Sequence, residues 1–242
     1  MTTAAAVIIG DEILTGKVRD TNSLALIEIL RDLGVELRRV LVIGDEPDEI
    51  GWAVKDCAER FDHVFTSGGV GPTHDDRTVE AVARAFGQPV IKHPELVALV
   101  ESYFVGEPKP AALKMAEVPE GTELLAGGPY PIIHFRNIYI LPGIPQLFVA
   151  KLKVICAQLV GQPRVIARLF VDAPESEIAE ALARTQRELA PVLIGSYPRI
   201  DAEDHRVMVT VEAVDPALVD RARQRLLELL PSEWIVRVET AR

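Results

Sequence analysis

Along the first 160 residues or so, short wholly apolar runs alternate with longer stretches in which apolar residues return every three or four positions. The run Ala4 to Ile9, closed by Gly10, has no polar alternation, as expected of a strand buried on both faces. Leu24, Ile27, Leu30 and Leu33 recur at helical spacing and Gly34 follows them, which predicts a helix with a glycine stop. Leu37 to Ile43 returns as a strand, and from Pro47 the positions Ile50, Val54, Cys57 and Phe61 mark a second amphipathic helix. Val64 to Thr66 is a short strand that feeds a glycine-rich loop. The helix after that loop carries Val79, Val82, Ala83 and Phe86 and ends at Gly87. Pro94 opens a further helix through Phe104, Val105 to Pro110 reads as a Gly/Pro loop, and Gly121 to Pro131 as an exposed turn or hairpin tip. Asn137 to Leu141 is a fourth strand, and Leu147, Leu152, Ile155 and Leu159 lie on the helix that closes this part.

This alternation predicts an α/β fold, a mostly parallel sheet covered by helices on both faces, with ligands at the C-terminal ends of the strands. After Gly161-Gln162-Pro163 the pattern changes. Val165 to Val171, Val192 to Ser196, Val207 to Val214 and Trp234 to Val238 read as strands, and Ser176 to Leu189 and Pro216 to Leu230 as helices. Their order, β-α-β-β-α-β, is the ferredoxin-like arrangement of a smaller α+β domain. The expected division is therefore residues 1–162 and residues 163–242. Val207, Val209 and Val211 alternate with Met208, Thr210 and Glu212, the pattern of a sheet with one covered and one more exposed face.

Composition narrows the classes. Hydrophobic residues make up 48% of the 242, enough for two cores, and 36 acids against 26 bases leave a formal charge of −10. That balance argues against a sequence-independent nucleic-acid binder, which needs a basic face. Cys57 and Cys156 sit in separate apolar helical runs without Cys/His clustering, so two buried reduced thiols are expected rather than a disulfide or zinc site. No apolar run approaches the ~18 residues of a membrane span, and the start lacks a signal-peptide pattern. A cytoplasmic location with no membrane partner is the expectation.

The chemistry concentrates in Thr66-Ser67-Gly68-Gly69-Val70-Gly71-Pro72-Thr73-His74-Asp75-Asp76-Arg77-Thr78. A glycine-rich turn between a strand and a helix N-terminus offers backbone N–H groups to an anion, with Ser67 and Thr73 able to add hydroxyls. Asp75 and Asp76 would repel a bare phosphate, so their presence points to a divalent metal bridging acid and phosphate. Asp75 could equally cap the helix, Thr73 satisfy its own loop, and His74 simply be solvated. A second strand end delivers Asp11 and Glu12, candidate metal ligands or general base, or else a cap for the next element. Asp45 is a candidate metal ligand or the N-cap before Pro47. Lys114 is the best-placed cation for a phosphate. In Pro142-Gly143-Ile144-Pro145, two prolines hold a rigid turn that can present the N–H groups of Gly143 and Ile144, or that merely ends a strand.

Together, Gly10-Asp11-Glu12-Ile13-Leu14-x-Gly16, Asp20-Thr21-Asn22, Val42-Ile43-Gly44-Asp45, the loop Thr66 to Thr78 and Leu141-Pro142-Gly143-Ile144-Pro145 make the chain resemble the competence/damage-inducible protein CinA family. The resemblance implies the molybdopterin-binding fold of MoaB and MogA, in the stand-alone form similar to the N-terminal domain of eukaryotic FAD synthase and without the amidase domain of full-length bacterial members. It also implies a metal-dependent nucleotide pyrophosphatase acting on ADP-ribose or FAD, with Mg, Mn or Co as the metal. The position of Asp76 matches the acid central to adenylyl transfer in the cofactor-biosynthesis relatives, and Glu12 matches a Glu that matters there. The alternatives are molybdopterin adenylylation or metal insertion, with molybdopterin as ligand, and a non-catalytic nucleotide- or pterin-binding module. Two departures from the family stand out: Gln146-Leu147 replace an acid after the Pro-Gly turn, and Ala126 to Ile133 replace an Asn-Pro-x-Gly-Thr-Ala-Pro-Gly segment. A symmetric homo-oligomer is the expected assembly.

Overall fold

A computed structural model of the chain describes residues 1–104, 109–200 and 202–241. The chain divides into two compact units, Met1–Gly161 and Gln162–Arg242. Most of the loop expected over Val105 to Pro110 lies outside the described residues.

The first unit begins with strand β1 (Thr3–Ile9), a single helical turn α1 (Asp11–Leu14) where only a loop is predicted, and helix α2 (Asn22–Leu33). Strand β2 (Glu36–Ile43), helix α3 (Pro47–Arg60), strand β3 (His63–Ser67) and helix α4 (Thr78–Ala85) follow. Next come β4 (Val90–Lys92), α5 (Pro94–Ser102), α6 (Pro110–Leu113), β5 (Glu117–Pro119), β6 (Glu123–Leu125), β7 (Ile132–Phe135), β8 (Ile138–Leu141) and α7 (Pro145–Cys156). The main sheet has the order β2-β1-β3-β8-β7-β6. Its first four strands are parallel, and β7 and β6 extend it antiparallel. A separate ribbon pairs β4 with β5. Strands β6 and β7 and the ribbon are absent from the sequence reading, which takes Gly121 to Pro131 as an exposed turn or hairpin tip.

Strand β1 lies between β2 and β3, and Ala4 to Ile9 are all buried, which explains the unbroken apolar run. Its pleat sorts the two faces. Ala5, Val7 and Ile9 share a core with Ile50, Val54 and Cys57 of α3 and Val82 of α4, while Ala4, Ala6 and Ile8 share another with Leu26 and Leu30 of α2 and Phe148, Leu152 and Ile155 of α7. The small side chains of Ala4, Ala5 and Ala6 let both helical layers close on the strand. Both cysteines are free and buried, as expected.

The predicted face of α2 needs correction. Leu26 and Leu30 are fully buried, whereas Leu24 is 57% and Ile27 40% exposed. The helix is rotated because its first turn buries Asn22 and Ser23 instead of apolar residues. Its end is as read: Gly34 takes the left-handed conformation at φ 76° and donates to the Arg31 carbonyl at 3.0 Å.

The second unit runs β9 (Val165–Val171), α8 (Glu175–Glu188), β10 (Leu193–Pro198), β11 (Val207–Ala213), α9 (Pro216–Leu229) and β12 (Ile235–Ala241). Its antiparallel sheet has the order β10-β11-β9-β12, the ferredoxin-like topology. Val207, Val209 and Val211 point into a core with Leu169, Ile178, Val219 and Leu226. Arg225 of α9 donates to Glu188 of α8 at 2.8 Å, and with Arg184 it draws the Glu188 carboxyl down to about 2. Among the described residues no helix is long and apolar enough to cross a membrane.

The rotation of α2 is directly testable by urea unfolding. Leu26→Ala should cost about 3 kcal/mol and Leu24→Ala under about 0.5 kcal/mol. Equal costs would contradict the burial pattern.

Candidate functional site

Parallel strands β1, β3 and β8 end side by side, so Ile9, Ser67 and Leu141 deliver their loops to one edge of the sheet. Gly68 donates its N–H to the Leu141 carbonyl at 3.1 Å, and Gly10 donates to Ile43 at 3.0 Å. The glycines after β3 are required first by the chain itself. Gly68 lies at φ +107°, and a Cβ there would stand 2.2 Å from the Ile9 carbonyl oxygen. Gly69 lies at φ +65°, and its Cβ would meet the Thr78 hydroxyl at 2.3 Å. That hydroxyl donates to the Gly68 carbonyl at 2.9 Å, and the Thr78 N–H donates to Gly69 at 3.0 Å. Thr78, wholly buried, thus ties the start of α4 to the loop.

Asp76 is turned into this loop. Its Oδ2 accepts from the Thr73 N–H at 2.8 Å and from the Thr73 hydroxyl at 2.5 Å, and Gly71 leaves room for it. Lys114 donates from Nζ to the Thr73 carbonyl at 2.5 Å, which brings a cation from a distant segment onto the same loop. The Asp75 carboxyl is held below its ordinary range, mainly by the Thr73 hydroxyl, then by its own backbone N–H, with His74 and Lys114 adding to the effect. His74 itself is fully exposed, the bland reading of that residue. A cavity of about 310 Å³ opens here, lined by Gly69, Val70, Gly71, Asp76 and Lys114, by Glu80 and Glu117, and by apolar groups such as Met115 and Ile133. The segment that departs from the family pattern braces the structure nearby: the Tyr130 hydroxyl donates to the Met115 carbonyl, and buried Lys151 donates to the carbonyls of Tyr130 at 2.5 Å and Pro131 at 3.1 Å.

Asp11, Glu12 and Asp45 form the adjoining acidic part. The Asp11 N–H donates to Asp45 Oδ2 at 2.9 Å. Asp45 is therefore bound to the first strand end and does not cap α3 through its side chain, since Glu46 occupies the cap position. The Asp45 carboxyl is pushed up by partial burial first; the Asp11 N–H opposes this, and the charges of Asp11, Glu12 and Asp75 add to it. Four carboxylates thus share one field. Among the described residues, however, no group of three or more His, Cys, Asp or Glu side chains is placed to hold a metal ion. Asp45, Asp75 and Asp76 do not form a ready-made cage.

The turn after β8 behaves differently from its reading as a pure N–H donor. The Gly143 carbonyl accepts from Asn22 Nδ2 at 2.8 Å, and the same nitrogen donates to Ser67 Oγ at 2.8 Å. Ile144 caps α7 and is 57% exposed. Asn22 is absent from the residue-by-residue reading. The signal was the Asp20-Thr21-Asn22 triplet: Asp20 accepts from the N–H groups of Asn22 at 2.9 Å and Ser23 at 3.0 Å, so it starts α2 and aims Asn22 at the strand ends.

With this geometry in place, comparison with known proteins assigns the class. The family model described as "Probable molybdopterin binding domain" matches residues 5–162, and the chain belongs to that family. The model "FAD synthase, middle domain" matches residues 163–239. Among individual relatives, a "Probable FAD synthase" of Caenorhabditis briggsae is 31% identical over 94% of this chain and 49% of its own length. "Protein Ta0487" of Thermoplasma acidophilum is 32% identical over 82% of each chain. The crystal structure of "the protein CinA with unknown function" from Thermoplasma acidophilum is 35% identical, covers 64% of this chain and 95% of its own, and superposes with a TM-score of 0.59. The chain spans about half the length of the FAD synthases it matches.

The raised Asp45 carboxyl carries a sign. Its uncharged form is favoured in the folded state, so its contribution to stability is full below the ordinary value of 3.8 and is lost as pH rises through the raised folded value. Asp45→Asn keeps an oxygen for the Asp11 N–H and removes the charge. It should melt higher than the wild type at pH 7, and the gap should close by about pH 3. A gap that widens in acid would contradict the assignment.

Proposed function

We propose that the first unit is a nucleotide pyrophosphatase acting on a dinucleotide-like diphosphate such as ADP-ribose or FAD. The observation that carries this reading is the convergence of Lys114, Asp76 and the Gly69 to Gly71 backbone on one cavity beside the Asp11, Glu12 and Asp45 carboxylates. In this reading the backbone from Gly68 to Gly71 holds the diphosphate, Lys114 offsets its charge, and the apolar residues of the cavity, Met115 and Ile133 among them, take a ring of the substrate.

A divalent metal, Mg, Mn or Co, belongs to the proposal. The donor set suits a cation that arrives with the diphosphate, held by one or two carboxylates and phosphate oxygens, rather than a resident ion in a protein cage. Asp45 and Asp75, whose charges act on each other, are the carboxylates that would hold it, and Asp76 organises the loop beside them. Such a cation supplies charge neutralisation at the diphosphate. The chain's own part is to place a water against one phosphorus. The water oxygen bonds to that phosphorus, the bridging P–O bond breaks to give AMP and the second monophosphate, and the water's proton passes to Glu12 or Asp11 and on to solvent.

A second reading, binding of molybdopterin for adenylyl transfer or metal insertion, is supported by the family description and by the apolar residues of the cavity, which suit a flat ring. The two separate by product. Incubation with ADP-ribose or FAD and each of Mg²⁺, Mn²⁺ and Co²⁺ should release AMP, and Asp76→Ala should abolish the release. Absence of AMP with all three metals would sink the hydrolase reading. An adenylylated product from molybdopterin and MgATP would establish the second, and tight metal-independent nucleotide or pterin binding without turnover would favour a plain binding module.

A further inference from the structure

Asn22 is only 6% exposed, yet it lies where three segments of the site meet. Both protons of its side-chain nitrogen are spent within the protein, one on Ser67 Oγ and one on the Gly143 carbonyl, each at 2.8 Å. A carbonyl can only accept, so the nitrogen, not the oxygen, of the Asn22 amide must face Gly143. Two consequences follow. Because Ser67 Oγ accepts from Asn22, its own proton remains to be donated elsewhere. The Asn22 Oδ1 atom, meanwhile, is buried and has no partner, a state that costs about 1–3 kcal/mol when nothing compensates it. The same bonds set a spacing. Gly143 approaches the Gly68 Cα so closely that a Cβ on Gly143 would stand 3.4 Å from it. The glycine-rich loop and the Pro142 to Pro145 turn are therefore joined through the Asn22 amide in addition to the direct bond from the Gly68 N–H to the Leu141 carbonyl.

We propose that Asn22, with its buried partner Ser67, is a positioning residue of the site: it sets the separation of the glycine-rich loop from the turn after β8. This rests on the reading of the site as a diphosphate site. A residue that only fills the core would change stability and leave ligand affinity alone. A positioning residue changes affinity in protein that is still fully folded.

Inorganic pyrophosphate with Mg²⁺ is the probe, titrated calorimetrically well below the melting temperature. Asn22→Asp has nearly the same shape but no N–H for Gly143, and its carboxylate would draw the Ser67 proton inward. It should weaken pyrophosphate binding about tenfold or more, the equivalent of one lost hydrogen-bonded group, with an unchanged circular dichroism spectrum. Ser67→Ala should weaken binding as well, and the double variant should be no worse than Asn22→Asp alone, because the two residues act as one unit. Additive losses, or losses only in melting temperature, would overturn the proposal. Should Asn22→Asp fail to fold, the wild type still decides: the Asn22 side-chain amide resonances should move on addition of pyrophosphate. Binding that leaves those resonances and the Ser67→Ala affinity unchanged would overturn the role of Asn22 while the diphosphate reading stands, whereas no binding to the wild type would overturn both.

Discussion

The contact on which the first unit's site depends is the approach of Gly68 to the carbonyl oxygen of Ile9, so close that a methyl group on Gly68 would lie 2.2 Å from it. It fixes where the chain leaves β3 relative to the end of β1. Once that crossing is set, Thr78 can reach back to the Gly68 and Gly69 carbonyl groups, α4 starts in place, and Asp76 folds against Thr73. The glycines are therefore a condition of the fold before they are a feature of any ligand. Packing at Gly68 and Gly69 thus requires glycine whether or not an anion binds there.

Electrostatics sets this edge of the sheet apart. The Asp45 carboxyl rises first from partial burial, and the charges of Asp11, Glu12 and Asp75 add to that rise. Among the described residues, Lys114 is the one cation lining the adjoining cavity, which Asp76, Glu80 and Glu117 also line. Surplus negative charge beside N–H groups and a lysine disfavours a bare phosphate and favours one that arrives with a cation.

Much of this was legible in the chain. The strand β1, the glycine stop at Gly34, the parallel order of the first four long elements and the β-α-β-β-α-β succession after Gly161 all come from periodicity and turn residues, which are local. What was not legible depends on distance along the chain. Asn22 meets Ser67 and Gly143 across 45 and 121 residues, and nothing near Asn22 announces either partner. Leu24 and Ile27 fit a helical face as well as Leu26 does, and only the burial of Asn22 and Ser23 decides which face turns inward. Family resemblance pointed to Asp76, but not to its being turned inward onto Thr73.

The central claim is that the loop edge of the first unit holds a diphosphate. A crystal structure of the protein soaked with ADP-ribose and Mg²⁺ tests it most directly. The account predicts the two phosphates against the Gly68 to Gly71 backbone and Lys114, with the cation next to Asp45 or Asp75. Phosphates bound away from that edge, or a nucleotide held only by the second unit, would contradict it.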